Sequence, residues 1–136
     1  MKLWAFVTSL VPAMKMREIA LYGSQVIKIT GSYDQCKQVA SEFARQRNLY
    51  QDMGARTITS IEAMKTIAFE IAEQLTAIQG TDSAAPWKTP DWYVQAISGG
   101  MGPLGVYKGF REMKYMGWVD RIPAFAPIQA EGCAPM

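Results

Sequence analysis

The sequence predicts an α/β protein, a parallel sheet with helices on both faces. Three observations carry that expectation. Short apolar runs rich in strand formers alternate with stretches whose apolar residues recur at helical spacing. The resulting order, β-α-β-α-loop-α-β-α-β, links successive strands through helices, as parallel strands require. Of the 136 residues, 49% are hydrophobic and 19% charged, which suits a packed domain and not a disordered chain.

Leu3 to Thr8 is a short apolar run that reads as a buried strand. Pro12 suits the first turn of a helix, where its missing N–H costs nothing. Met14, Ile19 and Leu21 give that helix an apolar face, and Gly23 ends it. Gln25 to Thr30 is a second strand, stopped by Gly31. Ser32 or Asp34 caps a helix to about Arg47, with Val39, Ala40, Phe43 and Ala44 inward. Asn48 to Thr59 is polar and aperiodic, a loop. Ser60 is the expected cap of the next helix, where Met64, Ile67, Ala68, Ile71, Ala72 and Leu75 repeat at helical spacing. Gly80 to Asp91 reads as a surface loop. Trp92 to Ile97 is a third strand, Leu104 to Met116 a helix ended by Gly117, and Ala124 to Ala130 a fourth strand.

Composition removes several chemistries. There is no histidine, so Ser/His/Asp and Cys/His nucleophile systems and most zinc sites are excluded. Cys36 and Cys133 lie far apart and form no CxxC pair; they read as small apolar residues in a reducing cytoplasm, with no metal site. The net charge is +2, with no basic stripe for nucleic acid. No apolar run reaches the ~18 residues of a membrane span, and the apolar start, Met1 to Val7, is too short for a signal peptide. A chain of this length buries roughly two-thirds of its unfolded surface, so an ordinary core suffices.

The strongest local signal is the turn Ser98 to Gly105, where Gly100-x-Gly102-x-x-Gly105 sits between a strand and a helix. Glycines there permit positive φ and close backbone approach, and the N–H groups of the turn and helix start favour a phosphate. A strand-to-helix turn with no ligand fits the same residues. A dinucleotide site expects the motif early in the fold, with an acid about 20 residues on. Here the motif comes late, and the next strand ends near Ala130-Glu131. No Gly-Lys-Ser/Thr follows, which excludes a P-loop.

Several segments in one order resemble the threonine synthase family of pyridoxal-phosphate enzymes. They are Ala63 to Leu75, Pro90 to Gln95 running into Ser98 to Gly102, Gly105 to Phe110, and Ile128 to Gly132. Upstream, Val11-Pro12, Lys15, Tyr22-Gly23 and Val26-Ile27 fit the same pattern. The resemblance implies a slice of a fold-type II pyridoxal-phosphate enzyme. It implies that residues 1–58 belong to the small domain and 59–136 begin the large, cofactor-phosphate-binding domain. The phosphate of pyridoxal phosphate would then lie on Ser98, Gly99, Gly100, Met101 and Gly102, mostly on backbone N–H groups. Relatives often carry Asn or Thr where this chain has Gly102, so Ser98 is expected to supply a side-chain donor instead.

The resemblance also implies what is missing. The family's Schiff-base lysine and its Ser-Gly-Asn loop fall upstream, and the residue that meets the pyridine nitrogen falls downstream. None of the eight lysines sits in a matching motif, Lys15, Lys65 and Lys108 included. The expectation is a central fragment of a lyase of amino-acid biosynthesis, acting by β- or γ-replacement. It would carry the phosphate turn and no catalytic residue, and would be inactive alone. The alternatives are a non-catalytic phosphate- or cofactor-binding module and a truncated, self-associating product. The expected partners are a small amino-acid substrate in the full enzyme, and a second copy or a complementary fragment. A cytoplasmic location is expected.

Other features take plainer readings. The nine methionines read mostly as core filler. Trp87, Trp92 and Trp118 read as packing and loop anchors, and Glu70 and Glu73 as solvated helix charges. Arg45 and Arg47 complement a helix C-terminus.

Overall fold

The computed structural model describes residues 2–80, 86–132 and 134, so Cys133 and part of the expected loop after Gly80 lie outside the described residues. The chain divides into two compact units, Met1–Gln51 and Asp52–Met136. Strands pair in parallel, as predicted, but among the described residues they form two two-stranded sheets and not one continuous sheet. In each pair the strand after a helix returns beside the strand before it.

The first unit is β1 (Trp4–Thr8), α1 (Ala13–Leu21), β2 (Gln25–Ile29) and α2 (Tyr33–Gln46). Pro12 stands just ahead of α1, in extended conformation. β1 and β2 pair from Trp4↔Gln25 to Thr8↔Ile29. Gly23, with φ +78°, takes the left-handed turn between α1 and β2 that a Cβ would strain. Ser32 caps α2 with a full capping box. Its Oγ accepts the Gln35 N–H at 3.2 Å, and Gln35 Oε1 accepts the Ser32 N–H at 2.8 Å. Trp4 and Phe6 alternate onto one face of β1 and meet Phe43 of α2, with ring centroids 5.0 and 5.2 Å apart. Arg47 stacks on Phe43 at 4.4 Å, and Arg45 pairs with Glu42. β1 is half-buried along its length and not buried, because a strand in a two-stranded sheet has a neighbour on one side only.

The second unit begins with a 3₁₀ turn at Gly54–Arg56, followed by α3 (Ile58–Gln79), β3 (Trp92–Ala96), α4 (Met101–Tyr115) and β4 (Ala124–Ile128). α3 starts ahead of the expected cap. Thr57 holds the cap position without a side-chain cap bond, and Ser60 lies inside the helix. Asp52 explains the difference: its Oδ1 accepts the Ser60 hydroxyl at 2.9 Å and the Gly54 N–H at 2.8 Å. Those bonds hold the Asp52 carboxyl below its ordinary range, the Gly54 N–H contributing most.

The core is Ala68 and Ala72 of α3, Val106, Phe110 and Met113 of α4, and Val119. Gly105 and Gly109 bring the two helices together. A Cβ at Gly105 would sit 2.3 Å from the Met64 Cβ, and one at Gly109 would sit 2.7 Å from the Ala68 Cβ. Beside this contact, Lys65 bridges Glu62 and Glu112, at 2.6 Å each. Lys108 pairs with the same two carboxylates, and with Glu112 the separation is 3.9 Å. Trp87 packs on Trp118 with centroids 5.6 Å apart and joins Val119 in a parallel bridge, as packing residues should. Glu70 and Glu73 are exposed.

β3 and β4 pair from Trp92↔Ala124 to Ala96↔Ile128. The Ala124 N–H donates to Asp91 O, and the Ile97 N–H to Ile128 O. By alternation, β4 bonds to β3 through Ala124, Ala126 and Ile128, and Pro127 faces the outer edge. Tyr93, Phe125 and Tyr107 of α4 stack in series, at 5.3 and 5.7 Å. On the opposite sheet face Trp92, Val94 and Ile128 are exposed.

Gly105→Ala should therefore cost about 1–3 kcal/mol, the usual penalty for forcing atoms into a filled contact. Gly132→Ala, at a site with open space around the added carbon, should change little. The urea midpoint of each variant, at unchanged slope, checks both.

Candidate functional site: the glycine turn before α4

The ladder between β3 and β4 ends at Ile97, and α4 begins at Met101. Three residues make the reversal. Ser98 and Gly99 are exposed, and Gly100, with φ +72°, takes the cap position of α4 in the left-handed region. A side chain at Gly100 would strain that conformation. Met101 and Gly102 form the first turn of the helix, with Pro103 next. The structure thus brings Ser98, Gly99, Gly100, Met101 and Gly102 together at one helix N-terminus.

That N-terminus is open. No side chain caps it, and its first turn holds no acidic residue. The first helical bond runs from the Leu104 N–H to Gly100 O at 3.2 Å. The N–H groups of Gly99 to Gly102 donate to nothing among the described residues, and Pro103 has no N–H to offer. Unspent donors at a helix start, with the positive end of its dipole, favour an anion. The donor set fits a phosphate group.

The three glycines of the motif do different work. Gly100 supplies the positive φ. Gly102 stays in an ordinary conformation and makes room for a side chain: a Cβ there would lie 2.7 Å from the Gln95 amide. Gly105 serves the helix contact described above. Gln95, on β3 beneath the turn, was not among the residues singled out from the sequence; it looks like one more position in an alternating strand. Its Oε1 accepts the Tyr93 phenol at 2.8 Å. Burial pushes that phenol above its ordinary value of 10.0. Cation-ligating clusters of three or more His, Cys, Asp or Glu are absent among the described residues, and no helix there is long and apolar enough to cross a membrane.

These elements form a parallel β-α-β unit of an α/β domain, with the uncapped glycine turn at the carboxyl end of its first strand. The match to known proteins narrows this: residues 1–136 fit the pyridoxal-phosphate dependent enzyme family, and the chain belongs to it. Its relatives include the threonine synthase of Methanocaldococcus jannaschii, 28% identical over 90% of this chain and 27% of that protein. The Methanosarcina acetivorans threonine synthase is 31% identical over the same shares. The Mycobacterium tuberculosis threonine synthase is 27% identical over 90% of this chain and 31% of its own length. The chain therefore spans under a third of the length of these relatives.

The raised Tyr93 phenol gives a pH prediction. The folded state holds this proton more tightly than the unfolded chain does. Its contribution is complete below the ordinary tyrosine value and is lost as the pH rises through and above it. Melting temperatures between pH 8 and 11.5 should fall more steeply for the native chain than for Tyr93→Phe.

Proposed function

We propose that this chain is a segment of a threonine-synthase-like enzyme and that Ser98 to Gly102 holds the phosphate of pyridoxal phosphate. The observation that carries the reading is the set of unspent N–H groups at the start of α4, in a chain of this enzyme family. Gly99, Gly100, Met101 and Gly102 would donate their N–H groups, and the exposed Ser98 hydroxyl would add a side-chain donor. When bound, the cofactor supplies an electron sink for carbanion chemistry on an amino-acid substrate. The chain's own part is to bind and orient the phosphate and to fix its position with a helix held rigidly from behind.

The chain contributes no catalytic residue in this reading. Lys65 and Lys108 are engaged with Glu62 and Glu112, and Lys37 with Asp34. None of these ammonium groups is placed in the turn. The substrate proposed for the whole enzyme is a phosphorylated homoserine, as the resemblance to the threonine synthase family implies. A non-catalytic phosphate-binding module remains the second reading, because the donors at the turn need no lysine. Self-association, or docking on a complementary segment, is proposed for the exposed face at Trp92, Val94 and Ile128.

Inorganic phosphate, sulfate or pyridoxal phosphate should bind weakly to the 136-residue chain, and Gly100→Val should abolish that binding. Calorimetric titration checks this; equal binding by both proteins refutes the phosphate turn. The purified chain should release no phosphate from O-phosphohomoserine. Reproducible turnover that disappears when the cofactor is removed refutes the assignment of no catalytic residue. Sedimentation at micromolar concentration should show species larger than 15.1 kDa, and a clean monomer excludes self-association.

A further inference from the structure

We propose that Gln95 is a phosphate-binding residue of the turn, its side-chain amide adding a donor beside the backbone cradle, with Tyr93 as the residue that orients it. The inference rests on the reading of Ser98 to Gly102 as a phosphate site and extends it to two residues on the strand below.

The geometry starts with Gly102. This residue lies in the helix and does not need glycine for its backbone, unlike Gly100. What it lacks is the Cβ, and the space is taken by the end of Gln95, whose Nε2 and Oε1 both lie 2.7 Å from where that carbon would be. Glycine at 102 is thus the condition for placing an amide against the first turn of α4.

The orientation of the amide follows from Tyr93. Residues 93 and 95 share one face of β3, and the Tyr93 hydroxyl donates to Gln95 Oε1 at 2.8 Å. The phenol is itself held by Phe125, which Tyr107 also touches. With Oε1 occupied, Nε2 is the free end, and it makes no hydrogen bond among the described residues. Gln95 is half-buried, but no buried side-chain nitrogen or oxygen among the described residues lacks a partner, so Nε2 reaches the surface and is open to an acceptor from outside. Here it sits beside a helix start whose own N–H groups are also unspent. Pro103 removes one backbone donor from that first turn, and Gln95 places a side-chain donor next to it. An oxyanion satisfies the amide and the backbone together, whereas a cation satisfies neither.

The test uses the full chain and two probes, inorganic phosphate and pyridoxal phosphate, with phosphate-free pyridoxal as the control ligand. Binding is read by phosphorus NMR line width and by calorimetry. A hydrogen bond to a charged group is worth about tenfold in affinity or more. Gln95→Leu should therefore weaken both phosphate probes about tenfold. Gln95→Glu keeps the shape and the bond from Tyr93 but turns the free end into an acceptor. It should weaken them further. Tyr93→Phe should produce a smaller loss, of about threefold, because the amide is present but no longer aimed. Pyridoxal should respond to none of these changes. Ligand-free melting temperatures separate a folding defect from a binding defect, and Gln95→Glu carries the test if Gln95→Leu does not fold. Native-like phosphate affinity in Gln95→Leu and Gln95→Glu, alongside loss of binding in Gly100→Val, overturns the role of Gln95 and leaves the phosphate turn standing. No binding by the native chain overturns both.

Discussion

The close approach of α3 and α4 is the constraint on which the second unit depends. Gly105 and Gly109 lie one turn apart on the face of α4 that meets Met64 and Ala68, with no room for a Cβ at either position. Once the two backbones touch there, the orientation of α4 about its own axis is fixed. Val106, Phe110 and Met113 are then carried into the core, where each is fully buried. Burying a side chain of that size is worth about 1.5–3 kcal/mol, so the steric fit and the hydrophobic term select the same orientation. The turn inherits its geometry from this contact. Its one end is tied to the sheet through the bond between Ile97 and Ile128, and the other is the start of a helix that cannot rotate.

Charge acts on the same pair of helices in a different way. Glu62 and Lys65 on α3 face Lys108 and Glu112 on α4, and every member touches a partner of opposite sign. Exposed ion pairs contribute little each, and Lys108 is 42% exposed along its side chain. Lys65 differs, at 16%, and removing a partner would leave its charge poorly solvated. The glycines set how near the helices come. The charges penalise a slide of one helix along the other, because a shift by one turn would separate the pairs. The network also engages the ammonium groups of Lys65 and Lys108 with carboxylates along the helix contact.

Much of this was legible in the sequence, for reasons that can be located. Helical spacing from Met64 to Leu75 and a cap at Ser32 or Asp34 are local signals, and in the structure the helix forms and Ser32 is the cap. The parallel pairing of strands follows from the helices between them. The splitting into two separate strand pairs was not legible, since nothing in a strand's own residues names its neighbour. Ser60 misled because it has the chemistry of a cap, while Asp52, eight residues away, captures its hydroxyl. At the turn, the spacing of Gly100, Gly102 and Gly105 looked like one motif with one purpose. It is three purposes at a shared spacing: a left-handed backbone, room for Gln95, and room for Met64. Only the first is local. The other two depend on residues contributed by β3 and α3, so no reading of the turn alone could separate them.

The same dependence on neighbours governs how the second sheet can grow. A strand added beside β4 would meet Pro127, which has no N–H, on the edge where a ladder bond is needed. A strand added beside β3 would meet Trp92, Val94 and Ala96, each with its N–H and carbonyl directed outward by the alternation of the ladder. The two edges of one small sheet are therefore unequal, and the inequality lies in a single residue. The side chains of Trp92, Val94 and Ile128 are exposed on one face of this sheet, at right angles to the direction in which an edge strand would pair. A strand added beside β3 would pair in the plane of the sheet, at the backbone edge of β3, whereas Tyr93 and Gln95 project from one face of β3, where Gln95 lies against Gly102 at the start of α4.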